Sequence, residues 1–272
     1  MRLIRCRQYT VEVPGFEAGE HLRLAFLSDL HNNVYPGLLK MLEEAAPDAV
    51  LIGGDMANRP TRLGTPPRYT RGYGCVSKIV KEFPVWYAFG NHEASWRLDE
   101  TYGASFHAYQ RALKKKGVVF LENEYVVLRA GSRPVVLYGL EMGRPQYTHH
   151  AKKRRPPTQE ELRTWIGEAL PDAFTVLLAH HPDYLESYAA WGADLVLAGH
   201  LHGGQVRLPG IGGLLAPGFG LFPRYTRGRY EAVASRPHPT VMIVSPGLGT
   251  HTVPFRLFNP RELVIVDLTG RG

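Results

Sequence analysis

Short apolar runs recur along the chain, and each of them ends in a polar or glycine-rich corner. Val, Leu and Phe occupy consecutive positions within these runs, which is the pattern of strands that are covered on both faces. The pattern therefore predicts buried strands at Leu22–Ser28, Ala49–Gly54, Val85–Gly90, Phe174–His180 and Asp194–His200.

Segments with a helical spacing of apolar residues lie between these runs. Thr158 and Glu161 form a capping-box signature at the start of one of them. Strands and helices that alternate at this spacing predict an α/β sheet protein. Two further stretches, Val118–Leu140 and Val241–Leu268, are richer in strand-forming residues. The predicted helices are Gly37–Ala46, Gly74–Phe83, Ala104–Lys116, Thr158–Leu170 and Pro182–Ala190.

Two segments interrupt the alternation. Residues 58–74 and 143–157 are rich in Pro, Gly, Arg and Lys and show no apolar periodicity. We interpret both as loops, the first as a candidate loop over a functional site and the second as a solvated surface loop. The length of 272 residues fits one large α/β domain or two small ones.

Composition and charge narrow the class of protein. Hydrophobic residues make up 44% of the chain and charged residues 21%, which excludes a disordered or fibrous protein. The net charge of +7 suits an anionic partner, which leaves phosphate compounds, nucleic acid and an anionic membrane surface open. No obligate protein partner is evident. Cys6 and Cys75 are too few for a disulfide framework and wrongly spaced for a zinc knuckle.

The sequence shows no membrane or export signal. No run approaches the roughly 18 apolar residues that a membrane helix needs, and the basic N-terminus has only scattered apolar residues. We therefore expect a cytoplasmic protein, with peripheral association with a membrane left open.

Polar side chains with metal-binding chemistry follow the predicted strands. Ligands gather beyond the carboxyl ends of the strands in an open α/β sheet, so these side chains should lie at one edge. Side chains two residues apart point the same way in an extended segment, which predicts that the two members of each D-x-H or H-x-H pair converge. The candidates are Asp29, His31, Asp55, Asn91, His92, His180, His200 and His202.

The kind and number of these groups indicate two metal ions. They offer nitrogen and oxygen but no thiolate, which suits manganese, iron, zinc or cobalt. They are more numerous than one tetrahedral ion requires. Two ions about 3.5–4 Å apart, bridged by a carboxylate, would use such a set.

The motifs D-x-H, G-D, G-N-H-E, H and G-H-x-H, in this order, resemble those of the calcineurin-like metallophosphoesterases from about Leu22 to Leu268. The resemblance implies a four-layer α/β/β/α sandwich of two mixed sheets, with a single domain over residues 1–272 and a motif-bearing core at about residues 22–268. It also implies roles for individual residues. One metal would be bound by Asp29, His31 and His202; the other by Asn91, His180 and His200; Asp55 would bridge them and His92 would be the catalytic histidine.

The C-terminal third, including GHLHGGQVRLPG and PFRLFNPRELVIV, resembles a bacterial branch of this family. That branch contains membrane-associated phosphodiesterases and the UDP-diacylglucosamine pyrophosphatase type. The resemblance implies hydrolysis of a phosphodiester or pyrophosphate bond in a small phosphorylated substrate, by attack of a metal-bridging hydroxide. The alternatives are a nuclease of the same fold, a non-catalytic basic nucleic-acid-binding protein and a metal-binding scaffold.

Several neighbours of these motifs are weaker candidates. Glu93 is either a carboxylate that supports the metal site or an ordinary acid at a helix start. His181 follows His180 and should point away from the metals. Three arginines downstream of GHLHGG are candidates for binding a substrate phosphate, because guanidinium groups bind phosphate oxygens bidentately. They are Arg207, Arg224 and Arg227.

Overall fold

The fold is built on two mixed six-stranded sheets. The computed structural model describes residues 4–62, 66, 70–147, 154–208, 211–215, 221–233, 235–250 and 255–271. Its strands are β1 (Ile4–Glu12), β2 (His21–Leu27), β3 (Ala49–Ile52), β4 (Val85–Ala88), β5 (Val119–Leu121), β6 (Tyr125–Leu128), β7 (Val135–Leu140), β8 (Phe174–Ala179), β9 (Leu195–Ala198), β10 (Arg207–Leu208), β11 (Gly212–Gly213), β12 (Gly228–Ala232), β13 (Thr240–Val244) and β14 (Arg261–Thr269).

The first sheet, sheet 1, has the strand order β1-β14-β2-β3-β4-β5. Strands β2 to β5 run parallel, β14 is antiparallel to β2, and β1 is parallel to β14. The second, sheet 2, has the order β12-β13-β9-β8-β7-β6, with its four central strands parallel and an antiparallel strand at each edge. Each sheet therefore brings the carboxyl ends of several strands to one edge.

Six α-helices cover the outer faces of the sheets in the described residues. Apolar side chains of α1, α2, α3 and α4 pack on sheet 1, and those of α5 and α6 pack on sheet 2. A third apolar cluster joins the inner faces of the two sheets. These three clusters fill the spaces between four layers, so the predicted α/β/β/α sandwich is confirmed. The helices are α1 (Leu38–Ala45), α2 (Arg71–Ile79), α3 (Asn91–Arg97), α4 (Gly103–Lys114), α5 (Gln159–Ile166) and α6 (Leu185–Trp191).

The predicted strands and helices are largely confirmed, with shifted ends. Each of the five predicted strands is present and ends one or two residues earlier than predicted, because its last residues already belong to the turn at the sheet edge. Thr158 and Glu161 form the predicted capping box of α5. Helix α2 starts at Arg71, where Thr70 accepts a hydrogen bond from the Tyr73 amide, so the end of the predicted loop 58–74 is helical.

One strand lies outside the predicted core. Strand β1 pairs with β14 along its whole length and extends sheet 1 on the N-terminal side of residue 22. Most of its side chains are exposed or half-buried, so its sequence lacks the apolar run that marks the central strands. Residues 63–65, 67–69 and 148–153, parts of the two predicted loops, lie outside the described residues. Within the described residues, we find no helix with the length and apolar character needed to span a membrane.

Candidate metal centre

The seven candidate ligands and the catalytic candidate His92 meet where the two sheets adjoin. In sheet 1 they follow β2, β3 and β4, and in sheet 2 they follow β8 and β9.

The backbone of the two residue pairs 29/31 and 200/202 differs from the prediction. The pairs were predicted to be extended, and this prediction was wrong. Their φ angles are 53°, 48°, 68° and 48°, in the left-handed region, and Asp55 has φ 55°. Such strained backbone is rare for residues other than glycine and clusters at functional sites.

One group of ligand atoms comprises Asp29, His31 and His202, all of them buried. The Nε2 atoms of His31 and His202 lie 3.2 Å apart. Asp29 Oδ1 lies 3.6 Å from the Nε2 of His202 and 3.8 Å from that of His31. These distances allow the three side chains to bind one cation between them.

A second group comprises Asp55, His180 and His200. His180 Nε2 lies 3.1 Å from Asp55 Oδ2. The same carboxylate oxygen lies 3.8 Å from His31 Nε2, an atom of the first group. Asp55 is therefore placed between the two groups, as the resemblance implied for a bridging ligand.

Asn91 and His92 stand at the start of α3, beside the second group. Among the described residues, the buried Oδ1 atom of Asn91 has no hydrogen-bond partner. A buried carbonyl oxygen without a partner is costly, so a cation ligated by this atom would remove the cost. His92 Nε2 lies 3.9 Å from Asp55 Oδ2, and the backbone amide of His92 donates to Asp55 Oδ1 at 2.9 Å.

Two glycines allow the carboxylates of Asp55 and Asp29 to approach the ends of other strands closely. A Cβ atom on Gly90 would lie 2.1 Å from Asp55 Oδ1, and one on Gly199 would lie 2.3 Å from Asp29 Oδ2. Any side chain at either position would therefore displace a candidate ligand. This close approach explains why glycine precedes Asn91 and His200.

Glu93 supports Asp55 from behind. It is fully buried and accepts hydrogen bonds from the Asp55 amide at 2.7 Å, the Met56 amide at 2.9 Å and the Tyr87 hydroxyl at 2.6 Å. Glu93 also accepts a hydrogen bond from the Gly90 amide at 3.2 Å, so it is in addition an acid that caps the start of α3. Burial, and then the charge of Asp55, raises the pKa of Glu93 to about 7.

Hydrogen bonds at Nδ1, the ring nitrogen that faces away from the cluster, orient the imidazoles of His180 and His31. His180 Nδ1 lies 2.6 Å from the carbonyl oxygen of Gly53, and His31 Nδ1 lies 2.8 Å from Asn58 Oδ1. When these Nδ1 atoms carry the proton, each Nε2 presents its lone pair to the cluster. Asn58 carried no motif in the sequence, and only this contact identifies it.

Burial and neighbouring charges shift the pKa values of the histidines and aspartates of the centre. Burial holds the pKa of His200 and His202 well below the usual range, which leaves both imidazoles neutral and able to bind a cation. Burial would raise the pKa of Asp55, but the charges of His180 and His92 outweigh it and keep the pKa well below the usual range. Burial raises the pKa of Asp29.

His181 is buried but turned away from the ligand groups. Its Nε2 lies 3.0 Å from an Arg154 nitrogen, and its ring centroid lies 4.5 Å from that of His200. It therefore packs against a candidate ligand without joining either group.

The three candidate arginines contact described residues that do not belong to the ligand groups. Arg207 donates to the carbonyl of Gly203 and to Thr226 Oγ1, Arg224 pairs with Glu186 at 2.9 Å, and Arg227 pairs with Glu262. Their phosphate-binding role stays a prediction.

Arg256 is an arginine that sequence reasoning missed. Its Nη2 atom lies 3.5 Å from His202 Nδ1 and donates to the carbonyls of Pro246 and Gly249. Within the described residues its buried Nε and Nη1 atoms have no hydrogen-bond partner. No motif surrounds it in the sequence, because the contact joins residues 54 positions apart.

The donor chemistry of the centre fits metal ions. In the described residues, imidazole nitrogens and carboxylate oxygens converge in three clusters: the two groups above and a third that joins His31, Asp55 and His92. None of these clusters contains a thiolate. Manganese, iron, zinc and cobalt all accept such donors, and the arrangement leaves the identity of the metal open.

Comparisons with known proteins agree with this site. Residues 22–204, about two thirds of the chain, match the profile of the family described as calcineurin-like phosphoesterase. The uncharacterized protein YpbG of Bacillus subtilis is 27% identical over 97% of this chain and 87% of its own length. Phosphodiesterase YaeI of Escherichia coli is 28% identical over 72% of this chain and 66% of its own length.

A solved structure shows a similar fold. NAD nucleotidase (NadN) of Haemophilus influenzae aligns with a TM-score of 0.51 at 12% identity, over 84% of this chain and 45% of that one. The likeness concerns the fold alone, whereas the family match covers the strand-end motifs up to residue 204. The chain belongs to the calcineurin-like phosphoesterase family and is a hydrolase that acts on phosphoric ester bonds.

Proposed function

We propose that the chain hydrolyses a phosphodiester or a pyrophosphate with two cations held where the sheets adjoin. The observation that carries this proposal is the position of Asp55. Its Oδ2 atom lies 3.1 Å from His180 Nε2 and 3.8 Å from His31 Nε2. Because these imidazoles belong to different ligand groups, one carboxylate lies within reach of both. This supports a bridge between two ions.

In this proposal, each ion has its own set of ligands besides Asp55. Bound cations would lower the pKa of a water molecule toward neutrality and neutralise the phosphoryl oxygens as charge develops. The chain's own contribution is to hold imidazole nitrogens and carboxylate oxygens at fixed positions. One ion would be held by Asp29, His31 and His202, and the other by Asn91, His180 and His200.

His92 is suited to donate a proton to the departing oxygen. About a quarter of its side chain is exposed, in contrast to the buried imidazoles of His31 and His180. Its backbone hydrogen bond to Asp55 fixes it beside the proposed bridging carboxylate. Imidazole is the commonest group in proton transfer at neutral pH, and partial exposure lets this one reach a bound substrate.

A neighbouring cavity supports a small phosphorylated molecule as the substrate. It has a volume of about 580 Å³ and is lined by Asn91 and Tyr147 among others. The Tyr147 ring centroid lies 5.5 Å from that of His200, so the cavity adjoins the centre. Arg97 and Glu141, also in the lining, pair with each other. Among the residues that the structure describes, this pairing balances the charge of the lining, which favours a small substrate over the nuclease alternative.

The similarity to YaeI, whose name describes a phosphodiesterase, supports a diester as the scissile group. The test is turnover of bis(p-nitrophenyl) phosphate by the purified chain after loading with manganese, iron, zinc or cobalt. We expect hydrolysis that chelation abolishes and that re-addition of metal restores. Nucleotide sugars, cyclic nucleotides, glycerophosphodiesters and single-stranded DNA are then compared as substrates.

The control is Asp55→Asn, which keeps the size of the side chain but weakens the proposed bridge. Hydrolysis by this variant at the rate of the unmodified chain would contradict the proposal. Preference for single-stranded DNA over every small diester would instead support the nuclease.

A further inference from the structure

Exposed apolar side chains concentrate in one part of the molecule. Fourteen large hydrophobic residues are exposed among the residues that the structure describes, and seven of them lie at 208–222 or 255–258. Single exposed apolar residues are ordinary, whereas a concentration of them marks a binding surface. The seven residues are Leu208, Ile211, Leu221, Phe222, Phe255, Leu257 and Phe258.

These residues belong to one small hydrogen-bonded layer. Strand β10 pairs with β11, and isolated bridges join Val206 to Leu257 and Leu215 to Leu221. The Arg207 amide donates to the Leu257 carbonyl at 3.0 Å, which ties the two segments together. We call residues 205–208, 211–215, 221–222 and 255–258 the apolar platform.

The part of the sequence that carries the apolar platform also carries most of the net charge. Residues 195–261 contain seven arginines, no lysine and one acidic residue, Glu231. This quarter of the chain therefore accounts for +6 of the net charge of +7. Four of these arginines pair with carboxylates, and the guanidinium of Arg256 is buried. The half-buried Arg207 and Arg261 form no ion pair with any residue that the structure describes.

The exposed apolar side chains and the positive charge together indicate which kind of partner could bind the apolar platform. A second copy would bring a second positively charged segment against the first, and like charges oppose such an association. An anionic bilayer offers both complements, since its headgroups attract arginine and its acyl region takes up Phe, Leu and Ile side chains. Leu221 and Phe258 are 71% and 68% exposed, so they are free to enter it.

We propose that the apolar platform docks on the surface of an anionic lipid bilayer. The platform lies next to the metal centre. The Asn259 side chain donates to the carbonyls of His202 at 2.6 Å and Gln205 at 3.2 Å, so it joins a candidate ligand to the first residue of the platform. Docking would therefore hold the metal centre close to the headgroup layer. Binding itself does not depend on catalysis and can be measured without it.

The test is co-sedimentation of the full chain with lipid vesicles. One set contains phosphatidylcholine alone, and the other contains phosphatidylcholine mixed with phosphatidylglycerol. We expect binding to the mixed vesicles that weakens as the salt concentration rises, because part of the attraction is electrostatic. The variant Ile211→Ser/Leu221→Ser/Phe222→Ser should lower the partition coefficient by at least about 100-fold, because three apolar side chains no longer leave water.

A matched control replaces three exposed apolar residues outside the platform, in Val119→Ser/Tyr125→Ser/Val127→Ser. The control should bind vesicles like the unmodified chain, and circular dichroism checks that both variants are folded. Equal binding by the two triple variants would overturn the proposal, as would binding that is indifferent to phosphatidylglycerol. A dimer in light scattering that only the platform variant abolishes, without vesicle binding by the unmodified chain, would instead identify a second copy as the occupant.

Discussion

The two sheets contribute different chemistry to the metal centre. Sheet 1 supplies both carboxylates and the amide, in Asp29, Asp55 and Asn91, together with His31 and His92. Sheet 2 supplies imidazoles alone, in His180, His200 and His202. Among these groups, the anionic charge that would balance bound cations therefore comes from sheet 1. Loss of a carboxylate, which only sheet 1 supplies here, changes the charge of the centre, whereas loss of an imidazole ligand removes a coordination position.

The corners of the two sheets are also held differently. In sheet 1 the buried Glu93 carboxylate accepts hydrogen bonds from the backbone amides of Asp55 and Met56. Glu93 follows a strand of the same sheet, next to the strand that precedes Asp55. In sheet 2 the loop at His202 is held by Asn259 and Arg256, which come from a distant part of the chain. Because these supports differ, the two edges should respond differently to substitution.

The largest effect is expected for Asp55→Asn. The substitution removes the charge of the residue that lies between both ligand groups, so we expect both cations to be bound more weakly. Loss of an outer hydrogen-bond partner costs about 10–100-fold in metal affinity or activity, so turnover should fall by more than about 100-fold. Elemental analysis and turnover of bis(p-nitrophenyl) phosphate measure the two effects. One ion or none in the active unmodified enzyme would refute the dinuclear interpretation.

The variant His202→Ala tests the sheet 2 side. It removes a neutral ligand of one group and leaves Asp55 and His180 intact, so we expect one of the two ions to be lost. Metal content after dialysis against a weak chelator gives the stoichiometry. An equal loss of both ions would show that the two groups do not bind independently, and it would remove the contrast between the sheets.

The variant His92→Asn separates proton transfer from metal binding on the sheet 1 side. We expect both metals to stay bound, because His92 lies beside Asp55 and is only partly buried. General acid catalysis contributes about 10²–10⁴-fold, and that factor should appear mainly with an alkyl ester, whose alkoxide leaves poorly without a proton. A nitrophenyl ester should lose less activity. Equal losses on the two esters would indicate stabilisation of the phosphoryl group, and a loss of metal would make His92 a ligand.

The variant Glu93→Gln tests the support behind sheet 1. A neutral amide keeps the shape of the side chain but weakens the hydrogen bonds to the backbone at Asp55. We expect a fall of roughly 10–100-fold in metal affinity, as for other groups that orient ligands. Metal titration compares it with Glu160→Gln, an exposed position in α5. Equal affinities in the two variants would leave Glu93 with only its role at the start of α3.

The strands and the candidate ligands were predictable from the sequence for a physical reason. A strand covered on both faces needs a continuous apolar run, so the polar or glycine residues after Leu27, Ile52 and Ala198 mark its end clearly. The left-handed backbone at Asp29 and His31 was not predictable. It depends on hydrogen bonds from their amides to the carbonyls of Gly54 and Asp55, which are distant in sequence.

The C-terminal segment was harder to interpret because its contacts are all distant. Arg207, Arg224 and Arg227 follow GHLHGG closely in sequence, yet their recorded partners lie away from the ligand groups. Arg256 lies farther along the chain, and its guanidinium reaches His202. Distance along the chain is therefore a poor guide here, where irregular segments carry the arginines.

The smallest effect is expected for the double variant Cys6→Ser/Cys75→Ser. Cys6 lies on the edge strand β1 and is exposed, and Cys75 lies on α2. Both belong to the sheet 1 half but lie outside the three clusters of candidate ligands, so metal content and turnover should stay unchanged. Burial raises the pKa of Cys75 to about 11, which keeps it a thiol at neutral pH and a poor metal ligand. A large loss of turnover in folded, metal-loaded variant protein would show that a thiol takes part in the reaction. Residues of sheet 1 other than the candidate ligands would then contribute to activity.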